Sequence, residues 1–507
     1  MAAASPLPVR VRMYRQGLGD CFLISFGKDG SASQRHVMID CGTLGATTTG
    51  VKMKDVVKSI SDDTKKHLDL LIATHEHKDH VSGFGSEQKT FDDIAVDHVW
   101  LAWTENAADD DAKKIVKYKG DLIHAAKLAA RALESDTFGA GPAHARAKEL
   151  GAAISGVLDF ADESALGATL ATTINEAMAY VQKKKGAELE FREPGEAPLE
   201  PSWLPGVRVY VLGPPRDPKA LADLGKHGSP ELYELAARRG KELVATAGFF
   251  ASADSHDAYF AAVDAEERTE LERVRPFDSR HRIDAKGPAG RAAFNAYYDP
   301  QESWRRIDHD WLTGAADLAL QLDGQTNNTS LALAFEIIQK GKIGKVLLFP
   351  ADAQVGNWLS WHGDKMKFEV KDKGSTKTRT VTAKDLLQHT VLYKVGHHSS
   401  HNATVREHGL ELMESPDLVA LIPVDRAVAI NKTPRWEMPA RGLYKRLLQK
   451  TGGRVVRSDI GWAKPEKDFP RLFSKAEWDD FGAAQQAAEK KKRVTVGPLF
   501  VEWSLGG

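Results

Sequence analysis

The segment from Thr74 to His80, THEHKDH, constrains this chain more than any other part of its sequence. It directly follows the apolar run Leu68 to Ala73, and it places three histidines and two carboxylates in six consecutive positions. Imidazole nitrogens and carboxylate oxygens are ligands that suit Zn²⁺ and similar ions. Without a cation to share, side chains this crowded would repel one another or stay unsatisfied. The segment therefore predicts a metal site at the end of a strand.

The spacing within this segment differs from the zincin pattern H-E-x-x-H, because Asp79 stands where that pattern has its second histidine. What remains is H-x-H-x-D-H. In an extended or turning backbone His75 and His77 point the same way, whereas Asp79 and His80 lie past a bend and can face a second ion. The alternative is a solvated loop that happens to be rich in histidine. We favour the metal site because further polar clusters complete it.

The polar clusters share one placement, at the C-terminal ends of apolar strands. They are Asp40, the segment His75 to His80, Asp352, and the pair His397 and His398. Because a sheet gathers its strand ends along one edge, rigid strands can bring ligands from distant sequence positions together. The pattern thus predicts one site built from both halves of the chain.

Composition narrows the range of partners. The chain has 507 residues with a formal net charge of −1, which gives no general attraction to nucleic acid or anionic lipid. A polyanionic substrate would need a local patch or the metal itself. Five lysines near the site-bearing strands either supply such charge or merely solvate the surface: Lys342, Lys345, Lys365, Lys367 and Lys394.

Cysteine usage and hydropathy indicate the compartment. The two cysteines, Cys21 and Cys41, lie in apolar strand-like runs, which favours buried thiols over a disulfide or zinc ligands. No apolar stretch approaches the about 18 residues that span a bilayer. The sequence therefore predicts a soluble, cytoplasmic protein with no membrane association.

The periodicity of apolar residues predicts an α/β core that is interrupted by two inserted segments. Alternating segments at the N-terminus indicate a β-meander, and strand patterns return near the C-terminus. The predicted segments are the first half of a core (1–105), a helical insertion (106–205), a core strand (206–216), a second helical or irregular insertion (217–322) and the second half of the core (323–507).

These motifs together resemble the metallo-β-lactamase superfamily. Its H-x-H-x-D-H motif corresponds to His75, His77, Asp79 and His80, its strand aspartate to Asp40, its bridging aspartate to Asp352, and its final histidine motif to Gly396 through Ser400. Within the superfamily the chain is most similar to the soluble hydrolase domain of competence-type DNA-uptake proteins. That similarity rests on five segments: Gly17 to Cys21, Leu212 to Pro215, Asn327 to Leu331, His397 to Ser400, and Arg457 to Gly461.

The resemblance covers about the first hundred and about the last 180 residues, and it implies a fold and a ligand set. The fold is a four-layer αββα sandwich. The cofactors are two divalent metal ions, with Zn²⁺ favoured and Mn²⁺ as the alternative. The implied metal ligands are His75, His77, Asp79, His80, Asp352 and His397, and the implied catalytic residues are Asp79, which orients a water, and His398, a proton donor. We favour His397 over His398 as the ligand because only one of two adjacent residues at a strand end readily points inward.

One departure from the family pattern concerns the first metal, which is the ion that His75 and His77 would bind. The second metal is the one that Asp79 and His80 face. Many members carry a third histidine about twenty residues before the bridging aspartate, and here that place holds Asn327 and Asn328. Asparagine is a weak ligand for Zn²⁺, so the first metal should be held more loosely than the second. The loss also favours Mn²⁺, which accepts oxygen ligands.

Two cations about 3.5 to 4 Å apart can activate a water for in-line attack on a phosphodiester. The first hypothesis is therefore a phosphodiesterase or nuclease acting on DNA, RNA or a small nucleotide. The second is a hydrolase of a lactone, thioester or lactam. The third is a non-catalytic scaffold that binds a partner protein through its insertions. Asp40 either braces a metal-bound histidine or a loop amide, or has a purely structural turn role.

Overall fold

The computed structural model describes residues 7–45, 47–120, 174–225, 231–232, 324–372, 376–431, 436–467 and 469–506, with six scattered positions elsewhere. The chain divides into two compact units. The first comprises Met1–Val116, Thr169–Arg238 and Gly324–Gly507, and the second comprises Lys117–Ala168 and Arg239–Asp323. About half of the first predicted insertion and most of the second lie outside the described residues. None of the described helices has the length and apolar character needed to cross a bilayer.

Two β-sheets form the centre of the first unit. In spatial order, sheet 1 contains β16 (Val494–Val496), β17 (Phe500–Leu505), β1 (Val9–Tyr14), β2 (Cys21–Phe26), β3 (Arg35–Cys41), β4 (His67–Ile72), β5 (Ala95–Ala102) and β6 (Glu188–Arg192). Sheet 2 contains β15 (Gly461–Trp462), β14 (Val455–Arg457), β13 (Val419–Ile422), β12 (Thr390–Lys394), β9 (Lys342–Phe349), β8 (Ala332–Gln339) and β7 (Val207–Gly213). A separate hairpin pairs β10 (Lys367–Lys371) with β11 (Thr378–Thr382).

Strand direction places the ends of several strands on one edge. Strands β1, β2 and β3 are antiparallel neighbours, so the predicted meander is confirmed. Strand β4 runs parallel to β3 and β5, and β12 runs parallel to β9 and β13. The sequence predicts a single closing strand over Val494 to Leu505, but this segment forms the hairpin β16–β17 instead. The strand pattern breaks at Gly497 and Pro498, because proline has no backbone N–H to donate to a β-sheet ladder.

A hydrophobic core lies between the sheets. In β1 the side chains of Val9, Val11 and Met13 face this core, while the alternating arginines face outward. Across the core, the rings of Phe22 and Phe349 meet edge to face with their centroids 5.5 Å apart. Central strands are buried on both faces because helices cover the outer face of each sheet.

The helices that cover sheet 1 are α1 (Met53–Asp63), α2 (Lys78–Ser86), α3 (Gln88–Asp92) and α4 (Ile174–Gln182). After the short helix α5 (Pro218–Leu221), the helices that pack on sheet 2 are α6 (Val355–Ser360), α7 (Ala383–Gln388), α8 (Arg426–Ile430), α9 (Arg441–Thr451) and α10 (Lys475–Lys490). The predicted α/β class is confirmed.

The end of the first predicted insertion, 106–205, takes part in the core. Strand β6 pairs in parallel with β5, and α4 buries Ala177, Met178 and Val181 against sheet 1. The short alternating run of β6 follows a helical segment directly. Its membership of the sheet therefore depends on a neighbouring strand far away in sequence.

The buried His36 makes stability depend on pH. Its side chain is 8% exposed, and its Nδ1 lies 3.1 Å from Ser25 Oγ. Burial lowers the pKa of His36 to about 4, and Arg10 adds to the effect. The folded protein thus binds this proton less tightly than the unfolded chain, whose histidine pKa is near 6.5. Stability from this group is complete above about pH 6.5 and is lost as the pH falls towards 4.

We expect the free energy of unfolding to fall by up to about 1.4 kcal/mol per pH unit in this window because of His36. His36→Gln should remove that contribution. Unfolding by urea at several pH values measures it, and the difference between wild type and variant cancels the other titrating groups. A difference that does not change with pH would contradict the prediction.

Candidate metal centre

The candidate site lies at the edge where β3, β4, β9 and β12 end. The loop after β4 carries Thr74 to His77, and α2 begins directly behind it with Asp79 and His80 in its first turn. The carbonyl of Thr74 accepts a hydrogen bond of 2.9 Å from the Leu331 N–H, immediately before β8. This bond joins the two sheets beside the site.

Four side chains from both halves of the chain converge here. One ligand atom from each of Asp79, His80, Asp352 and His398 lies within 4.8 Å of the others, and all four residues are fully buried. His398 Nε2 is 2.6 Å from Asp79 Oδ2, and His80 Nε2 is 3.2 Å from Asp352 Oδ2. Three of the predicted ligands, Asp79, His80 and Asp352, are thus brought together, and His398 joins them.

Three atoms of this group are buried and make no hydrogen bond of good geometry among the described residues, although two of them, His80 Nε2 and Asp352 Oδ2, face each other at 3.2 Å as an ion pair. They are Asp79 Oδ1, His80 Nε2 and Asp352 Oδ2. Leaving a buried polar atom unpaired costs about 1 to 3 kcal/mol, and more for a charged group. The carboxylates of Asp79 and Asp352 and the imidazoles of His80 and His398 form a donor set that fits a divalent cation.

The first two histidines of the motif also converge. His75 Nε2 and His77 Nδ1 are 3.2 Å apart, and both residues are buried. The ring centroid of His75 is 4.1 Å from that of His80. Their ring nitrogens therefore lie beside the four-residue group, as expected if His75 and His77 point the same way.

Asn327 and Asn328 stand where many family members have a third histidine, and the two side chains have different surroundings. Asn328 donates from Nδ2 to the carbonyls of Leu221 and Asp223, and its Oδ1 accepts from the Gln354 N–H. This side chain holds loops together and is not directed at a metal. Asn327 beside it is fully buried.

The two adjacent histidines after β12 face different partners. His397, His398 and Ser399 all have positive φ, between 38° and 67°. In this left-handed turn the His398 ring points to Asp79, and its Nδ1 lies 2.6 Å from the Pro423 carbonyl. The His397 ring instead lies 3.0 Å from Ser400 Oγ. Where the sequence favoured His397 as ligand, the geometry favours His398.

Asp40 braces the site from behind. Its Oδ1 accepts a hydrogen bond of 2.8 Å from the Thr74 N–H, and its Oδ2 lies 2.8 Å from His80 Nδ1. A carboxylate on Nδ1 fixes the ring and directs Nε2 inward, as partners of metal-binding histidines commonly do. Of the two roles considered for Asp40, these contacts match the bracing role, towards both a histidine and a loop amide.

Two residues that sequence reasoning did not place in the site are Asp20 and Lys394. Both are buried, with Lys394 Nζ 2.5 Å from Asp20 Oδ2 and 3.1 Å from Asp352 Oδ1. In the sequence, Lys394 is one of five lysines that either supply charge near the site or solvate the surface. The available signal was its position inside the apolar strand β12, where a lysine needs a buried partner.

The electrostatics of the site favour positive charge. Burial by itself would raise the pKa of Asp79, but His80 and His398 lower it to about 2. The pKa of Asp352 is shifted in the same direction. Burial would raise it, but His80 and Lys394 hold it well below the usual range. Burial would lower the pKa of His80, but the carboxylates of Asp352, Asp20, Asp79 and Asp40 raise it well above its ordinary value.

The pKa values of the two adjacent histidines move in opposite directions. Burial tends to lower the pKa of His398, but its hydrogen bond to Asp79 raises it. Burial lowers the pKa of His397 to about 4. His80 and His398 thus attract protons at the position where a cation would be held, and a divalent ion that binds there must displace them.

A further His/Asp group in the described part of the chain does not form a comparable site. His67, Asp69 and Asp97 lie near the starts of β4 and β5, and His67 and Asp97 are each about half exposed. Asp69 is already occupied by the His36 N–H and by Arg35.

Comparison of the chain with models of known protein families gives no match, and comparison with curated proteins gives none either. The resemblance to the metallo-β-lactamase superfamily therefore stays a prediction that rests on the motifs themselves.

Proposed function

We propose that this protein is a metal-dependent hydrolase of the metallo-β-lactamase type, with a four-layer αββα sandwich, that cleaves phosphodiesters in DNA, RNA or a small nucleotide. The fold part of the proposal is supported by two sheets that share a core and carry helices on their outer faces. It is also supported by the site's position at the strand ends, where the family motif predicts it.

One observation carries the proposal. Asp79, His80, Asp352 and His398 are buried in one cluster, in which Asp79 Oδ1 has no hydrogen-bond partner among the described residues and His80 Nε2 faces Asp352 Oδ2 at 3.2 Å. Burying carboxylates so close together costs free energy that a bound cation would offset. A site of this kind is typical of a place where a cation binds.

Different residues of the site would have different roles in holding the metal. One divalent cation would be held by Asp79, His80, Asp352 and His398. His75 and His77 would contribute to holding the other cation. Zn²⁺ suits the mixture of imidazole and carboxylate, and Mn²⁺ is the alternative. When bound, such a cation makes a water molecule more acidic and stabilises negative charge on substrate oxygens. Asp40 keeps the His80 ring in one orientation.

The choice of a phosphodiester rests on the resemblance to competence-type hydrolase domains. The overall charge of −1 gives no long-range attraction for a polyanion. Affinity for the substrate would therefore come from the site itself, since a cation held among carboxylates can bind a phosphoryl oxygen directly.

The test begins with protein stripped of metal by a chelator and titrated with Zn²⁺ or Mn²⁺. The loaded protein is then offered bis(para-nitrophenyl) phosphate, single- and double-stranded DNA, RNA and a cyclic nucleotide, beside a chromogenic ester, a lactone and a cephalosporin. We expect metal-dependent turnover of a phosphodiester, lost on His77→Ala and after renewed chelation.

The other outcomes each identify an alternative. Turnover restricted to the ester, lactone or cephalosporin would replace the phosphodiesterase by the lactone, thioester or lactam hydrolase. A protein that takes up neither ion and is not stabilised by them would support the non-catalytic scaffold and refute the proposal.

A further inference from the structure

Lys394 is a buried cation inside the candidate metal centre. It is 1% exposed at the end of β12, and its ammonium group makes three contacts. Nζ donates to the Ala351 carbonyl at 2.8 Å and to Asp352 Oδ1 at 3.1 Å, and it lies 2.5 Å from Asp20 Oδ2. An ammonium has three donors, so these contacts use its full capacity.

The two carboxylate oxygens of Asp352 have different partners. Oδ1 accepts from Lys394 Nζ and, at 2.9 Å, from the backbone N–H of His397. Oδ2 faces His80 Nε2 at 3.2 Å and has no hydrogen-bond donor among the described residues. Two donors on one oxygen prevent the carboxylate from rotating, so the other oxygen is the one presented to a cation.

The partner of Lys394 is itself held rigidly. The Asp20 N–H donates to the Asp79 carbonyl at 2.8 Å, and the Asp20 carbonyl accepts from the Gly42 N–H at 2.9 Å. Gly42 packs so closely that an added Cβ would lie 2.3 Å from the Asp79 carbonyl oxygen. The Lys394–Asp20 ion pair thus links the end of β12 in sheet 2 to the backbone of Asp79 in the first turn of α2.

We propose that Lys394 is a positioning residue for the metal: it fixes Asp352 so that a single oxygen, Oδ2, is offered to the cation, with Asp20 as its counter-charge. This inference rests on the proposed function, because it presupposes that the site binds a divalent ion. It adds a residue outside the family's ligand motif whose loss should loosen the metal without removing any ligand.

A simple structural role makes a different prediction. If Lys394 served only to neutralise the buried Asp20, then removing both charges together would restore the site. If Lys394 positions Asp352, the double variant would still lack the donor to Oδ1, and its affinity for metal would remain low. The double variant Lys394→Met/Asp20→Asn therefore separates the two roles.

The experiment compares wild type, Lys394→Met, Lys394→Arg and the double variant. The Zn²⁺ dissociation constant is measured by competition with a chromophoric chelator, and the thermal unfolding of each metal-free protein is recorded. We expect Lys394→Met to weaken Zn²⁺ binding about 10- to 100-fold, the range seen when outer partners of metal ligands are lost. The double variant should recover metal-free stability but not affinity.

Two results would overturn the inference: unchanged Zn²⁺ affinity in Lys394→Met, or affinity restored to the wild-type value in the double variant. If Lys394→Met fails to fold, the double variant, which carries no unpaired buried charge, provides the same comparison. Failure of the wild type to bind Zn²⁺ or Mn²⁺ is a separate outcome that refutes the proposed function itself.

Discussion

Replacing His80 with alanine is expected to abolish tight metal binding and to lower kcat/KM for a phosphodiester at least about 10³-fold. The His80 ring contacts more of the site than any other residue of the four-residue group. Its Nε2 lies 3.2 Å from Asp352 and 3.6 Å from Asp79, and its Nδ1 is held by Asp40. Without the ring, the site loses the imidazole that lies between these carboxylates, and Lys394 beside Asp352 and His398 beside Asp79 remain as nearby basic groups.

Metal content after purification and steady-state kinetics measure this effect, and circular dichroism reports on folding. His389→Ala is the matched control, because His389 is an exposed histidine at the end of α7. We expect that variant to retain metal and activity. A His80→Ala protein that folds, binds Zn²⁺ as tightly as wild type and keeps its turnover would show that the chemistry lies elsewhere.

Replacing Trp358 with alanine is expected to destabilise the protein by about 3 to 5 kcal/mol. The ring is fully buried in α6, and its centroid is 4.1 Å from that of Trp361. Its Nε1 donates at 3.1 Å to the carbonyls of Ala353 and Ala403, which follow Asp352 and His398 in the chain. The indole thus supports both loops that deliver sheet 2 residues to the site.

Urea unfolding of metal-free wild type and variant measures this loss as a lower denaturation midpoint. Trp358→Phe is the matched variant, because it keeps a six-membered aromatic ring and removes the smaller ring of the indole together with its N–H donor. It should cost less, about 1 to 3 kcal/mol for the unpaired carbonyls. A Trp358→Ala midpoint within error of wild type would contradict the packing described here.

Trp358 also illustrates a choice that sequence reasoning left open. Four tryptophans flank strands of the site in the sequence, and each either stacks on a base or ring or, by default, packs in the core: Trp100, Trp103, Trp358 and Trp361. All four are buried at 2% exposure or less, and none presents a ring to solvent. The sequence could not decide this, because an aromatic side chain beside a site strand points inward or outward according to the helix that covers it.

Several features of the site were predictable because they depend on local pattern. An apolar run followed by a histidine-rich segment places His75 to His80 at a strand end, and an aspartate after Leu347 to Phe349 does the same for Asp352. Burial enforces such apolar runs wherever a strand is covered on both faces. The convergence of Asp79, His80 and Asp352 follows once those strands belong to neighbouring edges.

Other features depend on backbone conformation and on pairing between distant segments. His398 rather than His397 enters the group because three consecutive residues adopt positive φ, which side-chain alternation in a strand does not anticipate. Likewise β6 joins sheet 1 only through its pairing with β5, about ninety residues earlier in the chain.

By itself, the sequence determined the α/β class, the strands that end at the site, and the crowding of imidazoles and carboxylates that demands positive charge. Only the tertiary structure decided which oxygen of Asp352 faces Lys394 and which faces His80, and that Lys394 and Asp20 form an ion pair inside the site. The physical reason is that hydrophobic periodicity is a local property of the chain. Pairing of buried charges is settled only when two sheets bring distant side chains within a few ångströms of each other, where low polarity makes every unpaired group costly.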